Sequence, residues 1–130
     1  SEMNLQSNIR FTGRIEDDEM LDILNSCDIC VQPDPSNPLN NYSTMNKVME
    51  YMALEKPVVA FNLKETRVSC KDAALYADNN SIIEFSNHIC LLSEKKGLRK
   101  KMGLIGRERI ENKLEWKYSK RFLIDAYNFN

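Results

Sequence analysis

The sequence predicts an α/β fold: an open, Rossmann-like parallel sheet in three layers, followed by C-terminal helices. Two observations carry this prediction. Apolar runs of four or five residues alternate with helical stretches of ten or more, the rhythm of βαβ units. These runs are continuously apolar instead of alternating, as strands are when helices cover both faces of a sheet.

The elements follow in order. Residues 9–12 read as a short strand that stops at Gly13, and residues 1–7 as the tail of a preceding helix. Asp17, Asp18 and Glu19 form an acidic first turn, suited to the positive end of a helix dipole, and Met20, Leu21, Ile23 and Leu24 supply that helix with an apolar face. A largely apolar strand over residues 28–32 runs into a loop, residues 33–41, that is rich in proline and turn formers. The next helix opens at Ser43, with Ser43 or Thr44 as its N-cap. Met45, Val48, Met49 and Met52 recur at the spacing of a core-facing stripe. Residues 57–61 are a buried strand and residues 73–77 a further short one. Helices over about residues 81–93, 97–112 and 116–127 finish the chain.

Bulk properties narrow the function. At 130 residues there is room for one core, and 18 basic against 19 acidic side chains leave a net charge of -1. A dedicated nucleic-acid binder carries a basic excess, so that class is disfavoured. No apolar run approaches the roughly 18 residues that span a bilayer, and no signal-peptide pattern opens the chain, so a cytoplasmic location is expected. The cysteines are Cys27, Cys30, Cys70 and Cys90. Cys27-x-x-Cys30 has the spacing of a redox or metal pair, but no second pair completes a zinc site, and reduced cysteines packed as small hydrophobes are expected.

The chemistry concentrates in residues 40–61. Opposite the methionine stripe run Ser43, Asn46, Lys47 and Glu50, also at helical spacing. A solvated helix face is the plainer alternative. Two features favour a site: the helix follows the carboxyl end of a buried strand, where such sheets bind ligands, and its start holds hydroxyl and amide residues but no acid. Unpaired amides and the dipole there suit phosphate. Glu50 lies about 10 Å along the axis from Ser43 if the whole stretch is helical. A phosphate at the first turn and a ribose hydroxyl pair at Glu50 therefore fit one nucleoside diphosphate. The residues alone do not name a reaction.

A longer pattern does. The stretch Pro33-Asp34-Pro35, Asn37-Pro38-Leu39-Asn40, Ser43-Thr44-Met45-Asn46-Lys47-Val48-Met49-Glu50-Tyr51-Met52-Ala53-Leu54 and Lys56-Pro57-Val58-Val59-Ala60-Phe61 resembles the nucleotide-sugar-binding core of the group 1 family of retaining glycosyltransferases, which have the GT-B fold. Phe11-Thr12-Gly13-Arg14 is similar to the family's strand-and-glycine loop beside the donor base. Lys64-Glu65-Thr66-Arg67 and Ala73-Ala74-Leu75-Tyr76 resemble a branch found in bacterial surface-polysaccharide enzymes, and Leu98-Arg99, Met102-Gly103, Gly106-Arg107 and Trp116 the family's usual ending.

The resemblance implies that residues 1–130 are a single C-terminal donor-binding domain, truncated at its N-terminal side. It assigns Glu50 to the donor ribose, and the amides of Ser43, Thr44 and Met45, with the two hydroxyls, to the pyrophosphate. Gly13 and Arg14 would line the base pocket, and Lys47 could reach phosphate. Many members carry a second glutamate eight positions before the one matched by Glu50; here that position is Tyr42, which puts the holding of the sugar ring in question. The implied partners are a UDP- or GDP-linked sugar, a glycan or lipid-linked glycan acceptor, and an N-terminal domain not in this chain. No cofactor and no metal are expected, no catalytic side chain stands out, and Asp34 reads as a turn former before proline. The alternative is a non-catalytic nucleotide-sugar-binding subunit that needs a separate acceptor-domain chain.

Three further features carry expectations. His88 is read as structural or superficial. Lys95, Lys96, Arg99, Lys100 and Lys101 are a solvated face or a contact for anionic lipid, which would place the protein peripherally at the inner membrane surface. The aromatic last helix packs on the sheet or mediates self-association.

Overall fold

The computed structural model describes residues 5–128, so residues 1–4 of the expected N-terminal helix lie outside the described part, and residues 6–8 form a turn. Three parallel strands, β1 (Cys30–Gln32), β2 (Val58–Phe61) and β3 (Ala74–Ala77), lie side by side in that order. Cys30 aligns with Val58, and Val58 with Ala74.

Alternate residues of β2 face opposite sides, and helices cover both. Val58 and Ala60 pack with Val48 and Met52 of α3 (Asn46–Ala53) and with Cys70 of α4 (Lys64–Cys70). Val59 packs the other way, against Leu92 of α5 (Ile82–Glu94) and Met102 of α6 (Lys96–Arg109). This is the expected three-layer α/β arrangement. The methionine stripe of α3 behaves as its spacing predicts: Val48 and Met52 are fully buried, and Met45 and Met49 lean on the same core.

Before the sheet, α1 (Asp17–Ser26) has the expected acidic first turn but no buried residue. After it, α7 (Trp116–Tyr127) follows a π-turn at Ile110–Leu114 and also buries no residue; the Tyr118 hydroxyl donates to the Glu111 carbonyl at 3.0 Å.

Three expectations are corrected, and one helix is added. Residues 9–12 form no strand: Phe11 is 92% exposed, and among the described residues no strand pairs with the outer edge of β1. A lone four-residue segment cannot satisfy its backbone groups as a strand. The proline-rich loop holds a helical turn, α2 (Pro38–Asn41), with Pro38 at its start and the Asn37 side chain accepting from the Asn40 amide at 2.8 Å. Residues 64–70, to which the sequence pattern assigns no element, form α4. Finally, α3 begins at Asn46 with Met45 at its N-cap, not Ser43 or Thr44.

The packing hinges on α6. Gly103 crosses the turn after α3 so closely that a Cβ there would stand 2.0 Å from the Glu55 carbonyl oxygen, and Gly106 abuts Met52 and Ala73. Three arginines of α6 reach the last carbonyls of three other helices. Arg99 donates to Leu92 (2.6 Å) and Ser93 (2.8 Å) of α5. Arg107 donates to Ala53 (2.6 Å) of α3, and Arg109 to Val68 and Ser69 (2.9 Å each) of α4. Each satisfies carbonyls that a helix end leaves unpaired and sets a cation at its negative pole.

Candidate functional site

The strands end on one edge, where three connections meet: residues 33–45 after β1, 62–63 after β2 and 78–81 after β3. They are tied together. The Ser36 amide donates to Asn80 Oδ1 at 2.5 Å while Asn80 Nδ2 returns to the Ser36 carbonyl at 3.1 Å. The Lys64 amide donates to Asn41 Oδ1 at 3.2 Å, which fixes the start of α4 beside the end of α2.

Between α2 and α3 the chain changes direction over four residues, Tyr42, Ser43, Thr44 and Met45. The Ser43 hydroxyl turns back to the Leu39 carbonyl at 2.9 Å and so serves α2. The Thr44 hydroxyl donates to Glu65 Oε2 at 3.4 Å. The Ser43 amide bonds the Asn40 carbonyl, and the Val48 amide the Met45 carbonyl. The four amides between them, of Thr44, Met45, Asn46 and Lys47, donate to no acceptor among the described residues. Unpaired donors at the leading end of a helix are the usual makings of an anion site.

Glu50 lies one turn beyond Asn46, about 6 Å along the axis at the α-helical rise. The helical spacing is shorter than the sequence suggested, because α3 begins only at Asn46, after an extended Met45. Glu50 is exposed on the face away from Val48 and Met52, and among the described residues its carboxylate has no hydrogen-bond or ion-pair partner. Lys47 is engaged elsewhere: its Nζ lies 2.8 Å from Asp34 Oδ2, an ion pair that pins the loop after β1 to the first turn of α3. Asp34 is thus the partner of Lys47 and not a mere turn former. At the end of β1, Gln32 is fully buried. Its Oε1 accepts from Thr66 at 2.8 Å, and its Nε2 finds no partner among the described residues.

The remaining expected residues are placed less centrally. Tyr42 is 73% exposed, its ring beneath the Lys64 ammonium at 5.1 Å from the centroid and its hydroxyl 3.4 Å from that nitrogen. Gly13 takes a left-handed conformation (φ 66°), and Gly13 and Arg14 are exposed ahead of α1; no hydrogen bond or ion pair among the described residues ties either to α3. The structure therefore gathers Tyr42, Ser43, Thr44, Met45, Lys47 and Glu50 along one ridge and leaves Gly13 and Arg14 apart. It also adds Asp34, Lys64 and Glu65. Glu65 could have been found as an acid in a helical first turn, had α4 been recognised.

Other reactive side chains do not converge. Burial pushes the Cys30 thiol up to about 11, helped by Cys27, and the Cys70 thiol up to about 12, so both stay protonated at neutral pH and make poor nucleophiles or ligands. All four cysteines are free thiols, and among the described residues no three His, Cys, Asp or Glu side chains gather as a metal site. His88 Nε2 sits 3.1 Å from the Tyr76 carbonyl, a contact between α5 and β3. Among the described residues no helix is long and apolar enough to cross a membrane.

The family model described as glycosyl transferases group 1 matches residues 1–95, which include the whole ridge from Tyr42 to Glu50 and the start of α4. No curated protein and no solved structure matches the chain.

Proposed function

The chain belongs to the group 1 glycosyl transferases, and on that premise we propose that it binds a nucleoside diphosphate sugar across the start of α3, as the donor-binding part of a retaining transferase. The observation that carries the reading is the run of four unpaired amides at Thr44–Lys47, one turn ahead of the solvent-facing carboxylate of Glu50. The diphosphate takes the amides and the ribose hydroxyls take Glu50, which can accept from two adjacent hydroxyls.

In glycosyl transfer the bond from the anomeric carbon to the diphosphate oxygen breaks, and negative charge grows on the departing diphosphate. Fixed amide dipoles aimed at that charge stabilise the transition state without reorganising. The chain's contribution is therefore to bind, orient and electrostatically favour the leaving group, with no divalent metal required. The acceptor hydroxyl belongs to a glycan or lipid-linked glycan of surface-polysaccharide type, delivered by a domain not in this chain.

Calorimetry with UDP, GDP and ADP tests this, with and without EDTA. One of the nucleotides is expected to bind, with an affinity that EDTA leaves unchanged. Glu50→Ala is expected to weaken binding by about 1–3 kcal/mol, the loss of hydrogen bonds to a charged group. Indifference to all three nucleotides, or an unchanged affinity in the variant, would reject the assignment.

A further inference from the structure

The orientation just proposed has a direction. Ribose lies toward Glu50, on the C-terminal side of the four amides, so the glycosyl group must project the other way, toward Tyr42 and the first turn of α4. At that end stands a carboxylate. Glu65 Oε2 is 3.4 Å from the Thr44 hydroxyl, across 21 residues of sequence, and it forms no ion pair among the described residues. The ammonium next to it in the chain, Lys64 Nζ, is turned onto the Tyr42 ring and hydroxyl instead. The hydrogen bond from the Lys64 amide to Asn41 holds this turn of α4 against the end of α2, so Glu65 is fixed beside the amides by the fold.

An acid in the first turn of α4 favours that helix through its dipole. That role would be served by a carboxylate pointing anywhere near the helix start. It gives no reason to set the charge against Thr44, where it repels a diphosphate on the neighbouring amides. A carboxylate beside an anion site without a counter-ion becomes favourable if the same ligand brings hydroxyls to it, since an ionised carboxylate only accepts. Resting on the donor reading above, we infer that Glu65 accepts hydroxyl groups of the donor's sugar ring and selects the glycosyl group, while the amides and Glu50 hold the nucleotide.

The test separates the sugar from the nucleotide. Calorimetry on the chain and on Glu65→Gln is run with UDP, GDP, UDP-glucose, UDP-N-acetylglucosamine and GDP-mannose. The unmutated chain should bind at least one sugar nucleotide more tightly than its parent nucleotide. E65Q should bind UDP or GDP as well or a few-fold better, because a repulsive charge is gone, and should lose on the order of tenfold for the preferred sugar nucleotide. Glu65 is half-exposed at a helix start, so the variant keeps the fold, which circular dichroism checks. Parallel changes for nucleotide and sugar nucleotide, or none for either, overturn the assignment of Glu65 alone. So does a chain that binds sugar nucleotides no better than UDP or GDP. A chain that binds no nucleotide overturns the donor reading and this inference together.

Discussion

Replacing Gly103 by alanine should unfold the protein more easily, although the same change elsewhere on the same helix should do the reverse. A Cβ built on Gly103 meets the Glu55 carbonyl oxygen at 2.0 Å and its carbon at 2.8 Å, where real contacts scarcely fall below 3.0 Å. The backbone must therefore open by about 1 Å, a strain near the upper end of the roughly 1–3 kcal/mol usual for overpacking. Glu55 cannot yield easily: it holds a left-handed conformation (φ 57°) and leads within three residues into β2. Against the strain stands the helix preference for alanine, about 1 kcal/mol. The net is a loss of about 2 kcal/mol, or on the order of 5–10 °C in Tm. Gly97 is the control, because nothing lies within 4 Å of a Cβ there. Gly97→Ala should gain up to about 1 kcal/mol. Urea denaturation followed by circular dichroism measures both. Equal stabilisation by the two alanines would refute the claim that α6 touches the Glu55 backbone.

Other perturbations give signed outcomes. Lys71 adopts φ 46°, ψ -122° after α4, a conformation that strains a side-chain-bearing residue by about 1–3 kcal/mol. Lys71→Gly should stabilise the fold by about 1 kcal/mol after the entropy of a freer unfolded chain is subtracted, and a lower urea midpoint would contradict this. Asp34→Asn removes the ion-pair partner of Lys47 and a negative charge beside the four amides. It should change stability by less than about 1 kcal/mol and tighten nucleotide binding a few-fold, more at low salt, as isothermal titration at two ionic strengths would show. Lys95, Lys96, Lys100 and Lys101 are exposed, whereas Arg99 is occupied by α5 and by Asp28. At roughly 1 kcal/mol per lysine near an anionic surface, the chain should float with phosphatidylserine vesicles and not with neutral ones. Equal flotation with both, or with neither, would end the peripheral reading.

Much of this architecture was legible because apolar residues announced it. The unbroken run Val58–Phe61 is β2, and the spacing of Met45, Val48, Met49 and Met52 gave the buried face of α3. α4 escaped for a physical reason: its buried positions are Thr66, Ser69 and Cys70, at helical spacing but with small or polar side chains that carry no hydrophobic signal. Thr66 can be buried because Gln32 receives its hydroxyl, a partnership across 34 residues that no local pattern reveals. Residues 42–50 line one ridge, as their spacing suggests, but the helix cap lies elsewhere than expected. Serine is a good N-cap in general, yet Ser43 follows α2 directly and its hydroxyl closes that helix instead. The contacts of Asp34 and Glu65 escape a local pattern for the same reason as that of Gln32: they exist only once α3, α4 and the loop after β1 meet.

The three arginines of α6 have a consequence for what counts as the working unit. The match to the family ends at residue 95, one position before α6 begins, and the proposed ligand contacts all precede that point. Yet cleavage there would strip the closing turns of α3, α4 and α5 of their guanidinium partners in a single event and uncover Met52 and Ala73. A segment with none of the proposed ligand contacts is thus a structural creditor of the one that holds them all. Damage to it would surface as lost nucleotide affinity, with every contacting residue still in place.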